Sequence, residues 1–251
     1  NIGTAILANS LPKELFPTRQ ENELVRDTMY GFPCVIFHRE KMEDTPVFYG
    51  TFMFNNDKSN SDTLGLTTEK AESWEFRNNT SDHCLFKTND FSAAAKPEDN
   101  LEARYPDKNT DYTNIKKLYD WVVSCKDDVN KFKTEFNQHL NLEYCLNYQV
   151  LMEFAMLTDS RAKNMFLDTV DGEIWYPRFY DMDTCWGLNN EGVLSYSYDV
   201  NIHDQHGSGY VWNDRGQSVL WNLFEEAFAD EIKNKYHELR KEKLTYDNLM
   251  Q

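Results

Sequence analysis

Hydrophobic and polar positions change their period near the middle of the chain. In the first half, Cys34–His38 and Val47–Asn55 are runs of β-branched and aromatic residues bounded by Gly31, Pro33 and polar turns. Such runs predict two strands, and the charged stretch Arg39–Pro46 between them fits a hairpin loop. Trp74–Phe76 and Cys84–Lys87 predict a second hairpin turning through Asn78–Asp82. Residues 93–109 are polar and hold Pro97 and Pro106, which predicts a linker. Beyond it Ile115, Leu118, Tyr119 and Val122 recur at i, i+3, i+4 and i+7, the period of an amphipathic helix. Val129, Phe132, Phe136 and Leu140 predict a second helix, with Asp127 and Asp128 at its positive N-terminal end. Leu142–Leu157 is apolar almost all round, so this helix is expected in the middle of a domain. Met165–Leu167, an Asp171-Gly172 turn and an aromatic run ending at Asp181 predict another hairpin. Ser218–Tyr236 reads as one amphipathic helix and Thr245–Gln251 as the start of another, while residues 1–24 read as loop and short helix.

These elements divide the chain into a β-rich part, 1–92, a linker, 93–109, and a mainly helical part, 110–251, an α+β organisation. At 251 residues the chain can bury a full core as one large domain or two lobes. Its 42 acidic residues outnumber 26 basic ones, for a net charge of −16. That balance opposes nucleic acid or an anionic membrane as partner and suits recruitment of divalent cations. Aromatic residues make up 14% of the chain, which points to a rigid, well-packed particle or a carbohydrate-facing surface rather than disorder. No run approaches the 18 apolar residues of a transmembrane helix. The start, NIGTAILANSLPKELF, lacks a basic leader and begins without Met, so the chain is expected to be a piece of something longer. Five cysteines, an odd number with no C-x-x-C, read as reduced core thiols.

The stretch Thr158–Gly187 carries the chemistry. Asp159 and Asn164 are five apart, a hairpin follows, and its second strand ends in Asp181-Met182-Asp183. Asp-x-x-x-x-Asn, a hairpin and a late Asp is the layout of a kinase phosphoryl-transfer site. There the first Asp orients the attacking hydroxyl, and the Asn and later Asp hold Mg²⁺ with hard oxygens. Arg161 and Lys163 lie inside the loop, where a cation can neutralise a transferring phosphoryl group. A D-x-D alone says little in so acidic a chain; the ordered combination carries the reading. His203 and His206 form an H-x-x-H, but Gly207 and Gly209 argue against the helix that metal-ligand spacing needs. Asn55-Asn56-Asp57-Lys58 ends a predicted strand and reads as a turn that could also face a cleft. The aperiodic stretch Asn189–Gly216 has the composition of a contact surface and is expected beside the metal cleft or against a neighbouring subunit.

Residues 158–187 resemble the spore-coat CotH kinase family, an atypical branch of the protein-kinase-like fold. Val25–Asn56 resembles that family's pair of strands. Trp74–Phe91 and Leu188–Leu220 resemble the variant carried by bacteriophage particle proteins. The resemblance implies a two-lobed fold and phosphorylation of Ser or Thr in protein partners, with ATP and Mg²⁺ (or Mn²⁺) as cofactors. It implies Asp159 as the hydroxyl-orienting base, Asn164 and Asp181 as metal ligands, and Asp183 as a further ligand or supporting acid. It places the chain in a virion made in the bacterial cytoplasm, with other virion subunits as partners in an oligomeric assembly; the bacterial cytoplasm or a spore coat is the alternative. Neither nucleic acid nor a membrane is expected as partner. No lysine of the first half stands in a convincing phosphate-binding strand, and the family places that lysine upstream of residue 1. A catalytically inactive fold serving as a structural or host-adhesion component remains the competing reading.

Overall fold

A computed structural model of the protein describes residues 2–12, 16–157, 160–189, 191–194 and 218–250. Helix and strand are mixed throughout, as expected of an α+β chain. Helix α1, Ile2–Ser10, opens the chain. Strands β1, Gly31–His38, and β2, Val47–Asn55, form an antiparallel hairpin with an irregularity after Ile36, and make a two-stranded sheet of their own. The short helix α2, Ser61–Leu64, follows, capped by Asn60, whose side chain accepts from the Thr63 amide.

A second, four-stranded antiparallel sheet has the order β4-β3-β5-β6, with β3 at Glu72–Arg77, β4 at Leu101–Tyr105, β5 at Lys163–Thr169 and β6 at Tyr176–Phe179. It unites strands from both halves of the sequence. Its pairing sets two faces. Trp74, Phe76, Leu101, Ala103, Met165 and Leu167 share one face and are buried in the main core. Glu75, Glu102, Phe166, Asp168 and Arg178 share the other.

Helices share the core with this apolar face. They are α3, Thr113–Ser124, α4, Val129–Glu135, α5, Leu142–Phe154, α6, Val219–Ala227, and α7, Ala229–Glu242; α8, Tyr246–Leu249, follows. Asp128 caps α4 and Asn141 caps α5, each accepting the amide of the third helical residue. Helix α5 is buried from Tyr144 to Met152, as its apolar circumference predicts. Tyr148 stacks on Phe179 at 3.9 Å and on Trp221 at 5.1 Å, joining α5 to the sheet and to α6.

Three expectations are corrected. The stretch read as a linker contains β4, because Leu101 and Ala103 alternate with Glu102 and Arg104 and bury only their own side of the strand. Cys84–Lys87 is not a strand: Leu85, Phe86 and Lys87 donate back to Ser81, His83 and Asp82 in successive turns, and β3 takes β4 and β5 as partners instead. The single helix expected over 218–236 breaks at Phe228, whose ring is buried against Phe132, Phe136 and Phe224. All five cysteines are unpaired, and burial pushes the Cys84 thiol up to about 11 and raises those of Cys125, Cys145 and Cys185.

Candidate functional site

The polar face of the four-stranded sheet carries two buried ionic groups. Asp168 and Arg178 are fully buried and paired at 3.0 Å; Arg178 also donates to the carbonyls of Arg26 and Leu64 and lies over the Phe16 ring. Burial nevertheless raises the pKa of the Asp168 carboxyl, with Arg178 and Ser73 opposing. The second group sits nearer the end of the sheet. Glu75 on β3 is buried and holds Lys58 at 3.0 Å and Arg104 of β4, which is also paired with Glu102 at 2.7 Å. The Lys58 ammonium lies 4.6 Å from the centre of the Tyr180 ring, which stacks on Phe166 at 5.3 Å.

Lys58 and Arg104 open into a cavity of about 450 Å³. Met29, Asn55, Asn56, Asp57, Ser59, Tyr180 and Asp181 complete its lining. Asp181 lies two residues past the end of β6, after Tyr180. Across from it, Asn164 lies in β5, and its carbonyl accepts the Tyr180 amide at 3.0 Å. Asn164 and Asp181 both have left-handed backbones, with φ of 55° and 50°. Left-handed geometry is unusual for residues other than Gly, though Asn and Asp tolerate it best, and such conformations cluster at functional sites. So β5 and β6 bring Asn164 and Asp181 to one end of the sheet. Asp183 follows in an exposed turn, beyond the buried Met182.

Asp159 lies outside the described residues, as do His203, His206 and most of Asn189–Gly216. The loop leading to Asn164 is nevertheless anchored. The Tyr148 hydroxyl donates to the Ser160 carbonyl at 2.5 Å. Arg161 is only 1% exposed, and its guanidinium is held by Glu225 of α6 and, at 3.3 Å, by Glu153 of α5. Lys163 is half-buried in β5 opposite Arg77.

Lys58, Glu75 and Arg104 went unnoticed as a unit in the sequence. Their one local signal is the polar cluster Asn55–Lys58 at the end of β2. Glu75 looks like an ordinary strand position and Arg104 lies in the stretch read as a linker, and only the β3–β4 pairing places them together.

Among the described residues, no group of three or more His, Cys, Asp or Glu side chains is arranged to hold a metal. The carboxylates lining the cavity are Asp57 and Asp181, with the cations Lys58 and Arg104 beside them; Asn164 adjoins through its backbone carbonyl. That set fits Mg²⁺ carried on phosphates, since Mg²⁺ takes one or two protein oxygens and leaves the remainder to water and phosphate.

Curated proteins give no significant match to the chain. A family model described as CotH kinase protein matches residues 55–251, from the last residue of β2 to the end of the chain, with the cavity's Asn55–Ser59, Arg104, Tyr180 and Asp181 inside it. The match spans more than half of the sequence, and the chain belongs to the CotH kinase protein family.

Proposed function

We propose that this chain is a two-lobed, atypical kinase-like domain that binds ATP with Mg²⁺ in the cavity beside Asp181 and transfers phosphate to Ser or Thr of a protein partner. The observation that carries the reading is that Asp181 lines a cavity with Lys58 and Arg104, at the sheet end where the Asn164 carbonyl accepts the Tyr180 amide. Bound Mg²⁺ would supply positive charge to the phosphate oxygens. Asn164 and Asp181 would hold it, with Asp183 in support. Lys58 would donate to phosphate oxygens, and Glu75 with the Tyr180 ring fixes where its ammonium points. Arg104 adds a second cation to the same wall. Asp159 would accept the hydrogen bond of the attacking hydroxyl and align it. Arg161 and Lys163 flank this loop; the Arg161 pair with Glu225 ties it to α6.

We also place the domain in a phage particle, among other virion subunits. The resemblance of Trp74–Phe91 and Leu188–Leu220 to phage-borne variants supports this. A second reading, a kinase-like fold retained as an inactive structural or adhesion component, is favoured by the apolar β1–β2 hairpin, which lies before the family match except for Asn55.

Two measurements test the proposal. Calorimetric titration of Mg²⁺ or Mn²⁺ with nucleotide should give heats that Asp181→Ala removes; equal heats from both proteins overturn the metal site. Transfer of labelled γ-phosphate to Ser/Thr peptides should fall ~10²-fold or more in Asp159→Asn while nucleotide affinity holds. Absence of both metal heats and transfer in the wild type supports the structural reading.

A further inference from the structure

The β1–β2 hairpin is unlike the remainder of the molecule. Its strands contain no Asp, Glu, Lys or Arg, in a chain of net charge −16. Both of its faces are apolar. Phe32, Ile36, Val47, Tyr49, Phe52 and Phe54 are 40–69% exposed, and so, on the other face, are Val35, Phe37, Phe48 and Met53. At about 150–250 Å² for each full aromatic side chain, the hairpin shows solvent roughly 1,000 Å² of apolar surface. Monomeric proteins rarely show contiguous patches beyond about 300–600 Å². A lone two-stranded ribbon is also marginal in water.

One face is flatter than the other. Register puts Phe32 opposite Phe54 and Cys34 opposite Phe52. Phe32 stacks on Phe54 at 5.4 Å, and Tyr49 on Phe52 at 5.7 Å with rings 7° from parallel. The other face carries the edge-to-face pair Phe37–Phe48, its rings 72° apart.

We infer that this hairpin is a self-association surface, and that a second copy of the chain packs its Phe32, Tyr49, Phe52 and Phe54 ladder against the same ladder. Each flat aromatic face holds roughly 500 Å², so two copies bury about 1,000 Å², the size a specific interface needs. The covering surface must be uncharged, because a carboxylate or ammonium brought onto this face loses its water with no partner. The hairpin of a second copy meets that requirement, and it sets the contact where two acidic chains repel least. A two-fold arrangement needs only this one self-complementary patch.

Sedimentation velocity over a concentration series tests the inference on the 251-residue chain. The expected result is reversible dimerisation towards twice the 29.6 kDa monomer mass. Phe32→Lys with Phe54→Lys should hold the chain monomeric at every concentration, with an unchanged far-ultraviolet spectrum and thermal melt at the lowest concentration. Val35→Lys with Phe48→Lys, on the opposite face, should still dimerise. A wild-type chain that stays monomeric overturns the inference. So does a dimer that survives the Phe32/Phe54 pair of substitutions, or one that only the Val35/Phe48 pair dissolves.

Discussion

The two sheets use similar residues to different ends. In β3, β5 and β6, Trp74, Phe76, Met165 and Leu167 meet helices on one side, and charged residues on the other side are paired with each other. In β1 and β2, Phe32, Phe37, Phe48 and Phe54 meet mainly their own hairpin neighbours and water. Aromatic content therefore says little about burial. What separates the sheets is whether another element is delivered onto the face. Helix α5 packs on β6 of the larger sheet and α3 and α6 share its core, whereas the hairpin is built from one local segment.

The largest test of this contrast removes one aromatic from each sheet. Trp74→Ala should cost about 3–5 kcal/mol, as for a large core side chain that leaves a cavity. Phe54→Ala, measured at low concentration, should change global stability by less than about 0.5 kcal/mol, as for an exposed site. Urea unfolding reads both, and equal costs would erase the distinction.

The next concerns the buried pair beneath the larger sheet. Asp168→Ala strands the Arg178 guanidinium and should cost about 3–5 kcal/mol, whereas replacing both, Asp168→Leu with Arg178→Met, should recover most of the loss. A single and a double variant of equal stability would show that packing, not charge, is at stake.

At the cavity the effect should move from stability to binding. Lys58→Ala should alter unfolding by less than about 1 kcal/mol, because the pair with Glu75 is partly solvated. It should weaken Mg·ATP binding ~10-fold, the scale of one charge-assisted contact. Unchanged affinity would remove Lys58 from the proposed phosphate contacts.

The smallest effect is a pH dependence under the helices. His139 stacks on Trp121 at 4.3 Å, and burial lowers its pKa below the ordinary 6.5. Below that value the unfolded chain takes up a proton more readily than the folded one, so this contribution is present above pH 6.5 and is lost as pH falls through the folded pKa. His139→Gln should flatten the melting temperature against pH across that window while leaving the hairpin's behaviour alone.

Local signals recovered the elements that satisfy themselves locally. The strands β1 and β2, the helix α3 and the Asp128 cap of α4 follow from period, β-branching and capping chemistry. The position of Asp181 just past a hairpin was equally visible, because spacing along β5, a turn and β6 sets it. Strand β4 was hidden by its polar alternation and flanking prolines, and the break at Phe228 by a helical period that continues across it. Lys58, Glu75 and Arg104 lie 17 and 29 residues apart in sequence and meet only through strand pairing.

The sequence by itself therefore determined the α+β content, the buried character of α5 and the order of Asp159, Asn164, Asp181 and Asp183, since these depend on neighbours a few residues away. Tertiary structure decided which lysine stands beside Asp181, that Arg161 turns towards Glu225, and that the most apolar hairpin of the chain faces outward. Those outcomes depend on which distant segment packs where, a choice made by the summed burial of the whole chain.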